Sequence, residues 1–125
     1  MAKILVVDDS ALSRRVSRRI LEGAGHAVTD VADGLTALER YSLDKPDLVL
    51  LDVTMAEMDG LEVLRQLRLM DPGAVVVMAT ADVQTSTRTL AEAAGSAGFV
   101  MKPLAAEAVI RAVDAALFGQ AGGIK

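Results

Sequence analysis

Leu48-Val49-Leu50-Leu51-Asp52 constrains the fold of this chain more than any other stretch. Its apolar run is unbroken, begins just after Pro46-Asp47 and is too short for a helix. A run of that kind reads as a strand buried on both faces, as in a parallel sheet. It stops on a carboxylate, Asp52. In open α/β sheets the loops beyond the C-terminal strand ends carry the chemistry.

Other short apolar runs flank it, separated by helical patterns. Lys3 to Val7 is a first strand, stopped by Asp8-Asp9-Ser10, and Ser10 suits the N-cap of a following helix. Leu12, Val16 and Ile20 recur every four residues, with Arg14, Arg15, Arg18 and Arg19 on other faces. That spacing predicts an amphipathic helix with this apolar row on one face, ending near Gly23 and Gly25. His26, the lone histidine, falls in the turn and has no second metal-type ligand beside it. Ala27 to Val31 shows some alternation, as an edge strand does. Asp33-Gly34 signals a turn, and Leu35, Leu38 and Tyr41 mark a short second helix.

Gly60 opens a third helix with Leu61, Leu64, Leu67 and Met70 on one face, and Asp71-Pro72-Gly73 stops it. Ala74 to Ala79 is a fourth buried strand, ending on Thr80. The stretch from Asp82 to Gly95 is polar and Ala-rich, so its helix has a thin apolar stripe and is the least anchored element. Gly98 to Met101 is a short last strand reaching Lys102-Pro103. Leu104, Ala108, Val109, Ala112, Val113, Ala116 and Leu117 form a final helix, with a loose tail from Gly119 to Lys125. Five strand–helix units with right-handed crossovers give one doubly wound parallel sheet with helices on both faces. A length of 125 residues suits a single domain, 1–125.

With 52% apolar but only 2% aromatic residues, the core is aliphatic and methionine-rich. The absence of cysteine excludes disulfides and thiolate metal sites. A net charge of −4 argues against non-specific nucleic-acid binding. Ile4 to Val7 is too short for a signal peptide, and no apolar stretch reaches the ~20 residues of a membrane helix. A cytoplasmic protein without membrane insertion is expected.

Polar groups end four of the strands: Asp8 and Asp9, Asp52, Thr80, and Lys102. A parallel sheet puts all these ends on one side. Clustered carboxylates repel one another unless a cation intervenes, and Mg²⁺ takes oxygen ligands. A remaining carboxylate can act as a nucleophile toward phosphorus, with cations neutralising the transferred group. Each residue also has a plain alternative. Asp8-Asp9 is a good helix start, Thr80 an ordinary turn residue, Lys102 a surface lysine and Phe99 a core side chain. The joint pattern at four strand ends favours the chemical reading.

These residues resemble the receiver domain of bacterial two-component response regulators. The resemblance runs from Lys3 to about Leu117 and rests on Ile4 to Ser10, on Asp52 with Met58-Asp59-Gly60, on Thr80-Ala81, and on Gly98 to Pro103. It implies a flavodoxin-like sheet of order 2-1-3-4-5. It implies Asp52 as phosphoacceptor, with Mg²⁺ held by Asp9, by Asp8 through water, by Asp52 and by the Thr54 main-chain carbonyl. Thr80, the Ala81 N–H and Lys102 would hold phosphate oxygens, and Phe99 would switch with Thr80. Lys102-Pro103 would be cis.

A phosphohistidine on a sensor histidine kinase or phosphotransfer protein would be the donor. The fourth helix, fifth strand and fifth helix would form the face for an unknown protein target. No output module follows, so a stand-alone receiver is expected, catalysing only its own phosphorylation and dephosphorylation. Thr80 to Gln84 with Ser86-Thr87-Arg88 resembles chemotaxis-type receivers more than transcription-factor ones. Ala56 stands where proline is usual, Leu104 where phenylalanine is frequent, and Thr54 and Asp82 fill the variable positions beside the phosphate.

A Mg²⁺-dependent phosphatase of the haloacid-dehalogenase type is the chief rival. It requires a second aspartate two residues after the nucleophile, where Thr54 and Ser10 stand. A flavin- or nucleotide-binding module would need glycines in place of Asp8-Asp9-Ser10-Ala11. A receiver-like scaffold without phosphate signalling is argued against by the intact acidic set.

Overall fold

The computed structural model describes residues 2–55, 59–81 and 85–122. The expectations attached to Ala56, Met58 and Asp82 to Gln84 lie outside these residues. In chain order the elements are β1 (Lys3–Val7), α1 (Ala11–Gly23), β2 (Ala27–Val31), α2 (Gly34–Asp44) and β3 (Leu48–Asp52). Then follow α3 (Gly60–Met70), β4 (Val76–Thr80), α4 (Thr85–Ala93), β5 (Gly98–Met101) and α5 (Ala106–Gly122). All five strands are parallel, in the order β2-β1-β3-β4-β5.

The continuous apolar runs become the central strands because both of their faces are covered. Every residue of β3 and of β4 is buried, whereas β2 alternates as an edge strand does. One face packs Leu5, Val7, Val49, Leu51, Val76 and Met78 against α2, α3 and α4. The other packs Ile4, Val6, Leu48, Leu50, Val77 and Ala79 against α1 and α5. Adjacent strand residues thus serve opposite cores, which is why the runs show no polar interruption.

Helix boundaries follow local chemistry. Ser10 Oγ accepts the Ser13 N–H at 3.2 Å, and Asp33 Oδ1 accepts the Thr36 N–H at 2.8 Å. At the other end of α1, Gly25 (φ +94°) lets its own N–H reach the Glu22 carbonyl and the His26 N–H reach the Leu21 carbonyl. That pair of bonds closes a helix over a left-handed residue.

Two expectations need correction. The apolar row of α1 is not buried along its length: the helix is rotated so that Leu12 is 67% exposed and Val16 37%, Ile20 alone of the row packs against the core, and Ser17 and Leu21 are buried. Arg14 and Arg18 reach Asp30 on β2, and Arg14 Nη1 donates to the Asp8 carbonyl at 2.8 Å. The fourth strand begins at Val76, because Ala74 is held in the turn by a bond from its N–H to the Asp71 carbonyl. The final helix runs from Ala106 to Gly122. No helix of the described residues is long and apolar enough to cross a membrane.

Leu21→Ala is expected to lower stability by about 2–5 kcal/mol, whereas Leu12→Ala stays within ~0.5 kcal/mol of the parent. Urea unfolding of the two variants checks which face of α1 is buried. Equal losses would refute the rotation described.

Candidate functional site

The C-terminal ends of β1, β3, β4 and β5 are adjacent across the sheet, so the polar residues that stop them meet. The Asp8 N–H donates to the Val31 carbonyl at 3.2 Å, fixing Asp8 just beyond β1. Its carboxylate accepts the Ser10 N–H on Oδ1 at 2.9 Å and the Lys102 ammonium on Oδ2 at 2.8 Å. Lys102 Nζ also lies 3.4 Å from Asp52 Oδ1. Asp52 Oδ1 accepts the Thr54 N–H at 3.3 Å. Asp8, Asp9 and Asp52 each offer a carboxylate oxygen, all within 4.8 Å of one another.

Burial decides the electrostatics. Asp8 is 3% exposed and Asp52 5%, while Asp9 stands at the open rim. Burial, and then the neighbouring Asp8 charge, push the Asp52 carboxyl up to about 6. Lys102 and the Thr54 N–H pull it down by less. Burial works against the Lys102 ammonium, but its bond to Asp8 and the fields of Asp52 and Asp8 outweigh that and raise its pKa. Among the described residues, three carboxylates gather beside the Lys102 ammonium. Hard oxygen donors so close together fit a divalent cation such as Mg²⁺.

The remaining candidates surround this cluster. Thr80 is buried at the end of β4, and its carbonyl accepts the Lys102 N–H at 2.8 Å. Ala81 and Thr54 are exposed beside it. Phe99 pairs with Met78 in the sheet register and packs part-buried against the α2–α3–α4 core. It therefore lies on the same sheet face as Thr80, one step down the strands. The Lys102-Pro103 peptide is cis.

Lys102 is no loose surface lysine: its side chain is only 20% exposed and spans the two aspartates. The sequence reading did not identify Lys102's partner or the structural task of Gly60. A Cβ on Gly60 would stand 2.3 Å from the Asp52 carbonyl oxygen and 2.7 Å from Val53 Cα. The Gly60 N–H donates to the Val53 carbonyl at 2.9 Å. Helix α3 thus starts directly against the end of β3, and glycine alone allows that approach. The Asp59-Gly60 pair after the loop was the available signal.

The family model described as the response regulator receiver domain matches residues 4–114. The chain is 38% identical over 117 residues to the chemotaxis protein CheY of Listeria monocytogenes, covering 93% of this chain and 98% of that one. It is 37% identical over 116 residues to CheY of Bacillus subtilis, covering 92% and 97%. The solved structure of the chemotaxis protein CheY4 of Vibrio cholerae superposes with a TM-score of 0.89 at 29% identity, covering 94% and 99%.

Two outcomes test this geometry. The Asp52 carboxyl has a folded-state pKa above its ordinary value of about 3.9, so metal-free protein binds more protons folded than unfolded between pH ~4 and ~6. Stability falls as pH rises through that window, and a penalty of about 2–3 kcal/mol is fully present above pH ~6. In EDTA, Asp52→Asn is expected to be more stable than the parent at pH 7–8 and to converge with it near pH 4. Denaturant titrations at several pH values check this, and a variant less stable at pH 8 would contradict it. Gly60→Ala is expected to cost about 3 kcal/mol or more, because the methyl meets backbone rather than a yielding side chain. Thermal unfolding gives the answer; a loss under ~1 kcal/mol would mean that α3 moves aside.

Proposed function

Because the chain belongs to the response regulator receiver family, we propose that it takes a phosphoryl group on Asp52 and passes the signal on by protein contact. The observation that carries this is the meeting of Asp8, Asp9, Asp52 and Lys102 at one rim of the sheet. In this reading a carboxylate oxygen of Asp52 attacks the phosphorus of a phosphohistidine on a sensor histidine kinase or phosphotransfer protein. The P–O bond forms as the P–N bond breaks, and the donor's imidazole nitrogen keeps the electron pair and takes up a proton. Asp9, Asp52 and the Thr54 main-chain carbonyl would hold Mg²⁺ directly, with Asp8 reaching it through water. Mg²⁺ supplies neutralising charge to the phosphoryl oxygens.

Lys102 turns from Asp8 and Asp52 toward a phosphoryl oxygen, while the Thr80 hydroxyl and the Ala81 N–H donate to others. Attack requires the ionised carboxylate, and a bound cation would favour that form of Asp52, whose pKa is raised by burial. The protein catalyses its own phosphorylation and, with water as nucleophile, its own dephosphorylation. Receiver domains are signalling proteins rather than enzymes with turnover on free substrates. The haloacid-dehalogenase alternative is not favoured by the family match or by Thr54 and Ser10.

Thr80 drawn toward the phosphate would leave room for Phe99 to move inward, changing the α4–β5–α5 face. Part-burial of Phe99 on the Thr80 side of the sheet supports that coupling. Phosphate shifts this equilibrium only by its unequal interaction with the two states. The target is a protein, with no direct nucleic-acid contact and no membrane insertion. Relatives named chemotaxis proteins support a role in chemotaxis signalling, acting in the cytoplasm.

Incubation with acetyl phosphate, with and without Mg²⁺, followed by intact mass, tests the reading. One phosphoryl-sized gain that requires Mg²⁺ and disappears in Asp52→Asn is expected. A gain that persists in that variant, or repeated turnover of generic phosphomonoesters, would overturn it.

A further inference from the structure

Helix α4 closes in a tied C-terminal turn. Among its described side chains, Ala91 is buried, while Thr89, Leu90, Glu92 and Ala93 are exposed. The Gly95 N–H donates to the Glu92 carbonyl at 3.1 Å and the Ser96 N–H to the Ala91 carbonyl at 3.0 Å, over a left-handed Gly95 (φ +101°). The Ala97 N–H donates to the Val76 carbonyl at 2.7 Å, and Ser96 Oγ donates to the Gly98 carbonyl at 2.7 Å. The chain therefore leaves β4 at Thr80, runs back along the strand as α4, and is tied down again where β4 begins.

Arg68, from the last turn of α3, fills the space beneath that tie. A Cβ on Gly95 would lie 2.7 Å from Arg68 Nε and 3.3 Å from Cζ. Arg68 Nη1 donates to the Ala74 carbonyl at 2.9 Å. Asp71 beside it accepts the Tyr41 hydroxyl at 2.7 Å and the Gly73 N–H at 2.9 Å. The Tyr41 bond, then the Gly73 N–H and the Arg68 charge, lower the Asp71 pKa despite burial. One planar, permanently charged group thus bonds the turn before β4 from the end of α3 and lies against Gly95 just beyond α4.

We propose that Arg68 is a positioning residue that fixes the C-terminal end of α4, so that a displacement begun at Thr80 turns the helix about Gly95 to Ala97. The turning half of this inference rests on the phosphorylation reading above; the fixing half does not. The two halves separate experimentally. Amide hydrogen exchange on the metal-free full chain reads the fixing. Arg68→Ala is expected to speed exchange at Gly95, Ser96 and Ala97 by about tenfold or more and to leave the β1 and β3 amides unchanged. Arg68→Lys keeps a donor for the Ala74 carbonyl and is expected to restore the protection. Unchanged exchange at these amides in the Ala variant, or a uniform rise that includes β1 and β3, would overturn the proposal.

Addition of Mg²⁺ and beryllofluoride to the parent protein reads the turning and needs no variant. Larger amide shift changes at Ala81 and Thr85 than at Gly95 to Ala97 are expected. Changes of equal size along the whole helix would refute a fixed end. If beryllofluoride produces no shift anywhere, the phosphorylation reading fails and the turning half fails with it, while the exchange result decides the fixing.

Discussion

The ammonium of Lys102 lies between two buried carboxylates, 2.8 Å from Asp8 and 3.4 Å from Asp52. Without it, two like charges would face each other out of water at the end of the sheet. Attraction in such a site is strong because little water screens it, but each buried ion also loses hydration. Asp52 shows the unpaid balance, with a carboxyl pushed up to about 6 even with the Lys102 ammonium beside it. The site is therefore poised to accept positive charge, which is the condition phosphoryl transfer requires.

The sheet makes that arrangement possible. Leu51 pairs with Val7 and Asp52 with Ala79, so the residues beyond each strand emerge side by side. A one-residue slip would turn Asp52 away from Asp8 and put a leucine in its place. Such a slip is resisted because each strand presents apolar residues to two different cores. Gly60 then brings the start of α3 against the Asp52 backbone.

The strands were legible because burial on both faces leaves a continuous apolar run, and the site residues were legible because they interrupt such runs. Leu48 to Asp52 shows both signals in one stretch. The rotation of α1 was not legible. Leu12, Val16 and Ile20 form an apolar row, yet Leu12 is exposed and Ile20 alone of the row packs against the core, while Arg14 and Arg18 pair with Asp30 on β2. Periodicity reports that a helix has two faces; it does not report which ion pairs the neighbouring strand offers.

The sequence by itself determined the alternation of strands and helices, the aliphatic core and the polar residues at the strand ends, because these depend on local pattern. Only the tertiary structure decided that Lys102 pairs with Asp8, a residue 94 positions away, and that Arg68 sits beneath Gly95. Such contacts join elements distant in the chain, and their distances are set by how helices pack on a twisted sheet. Local propensity carries no record of that packing.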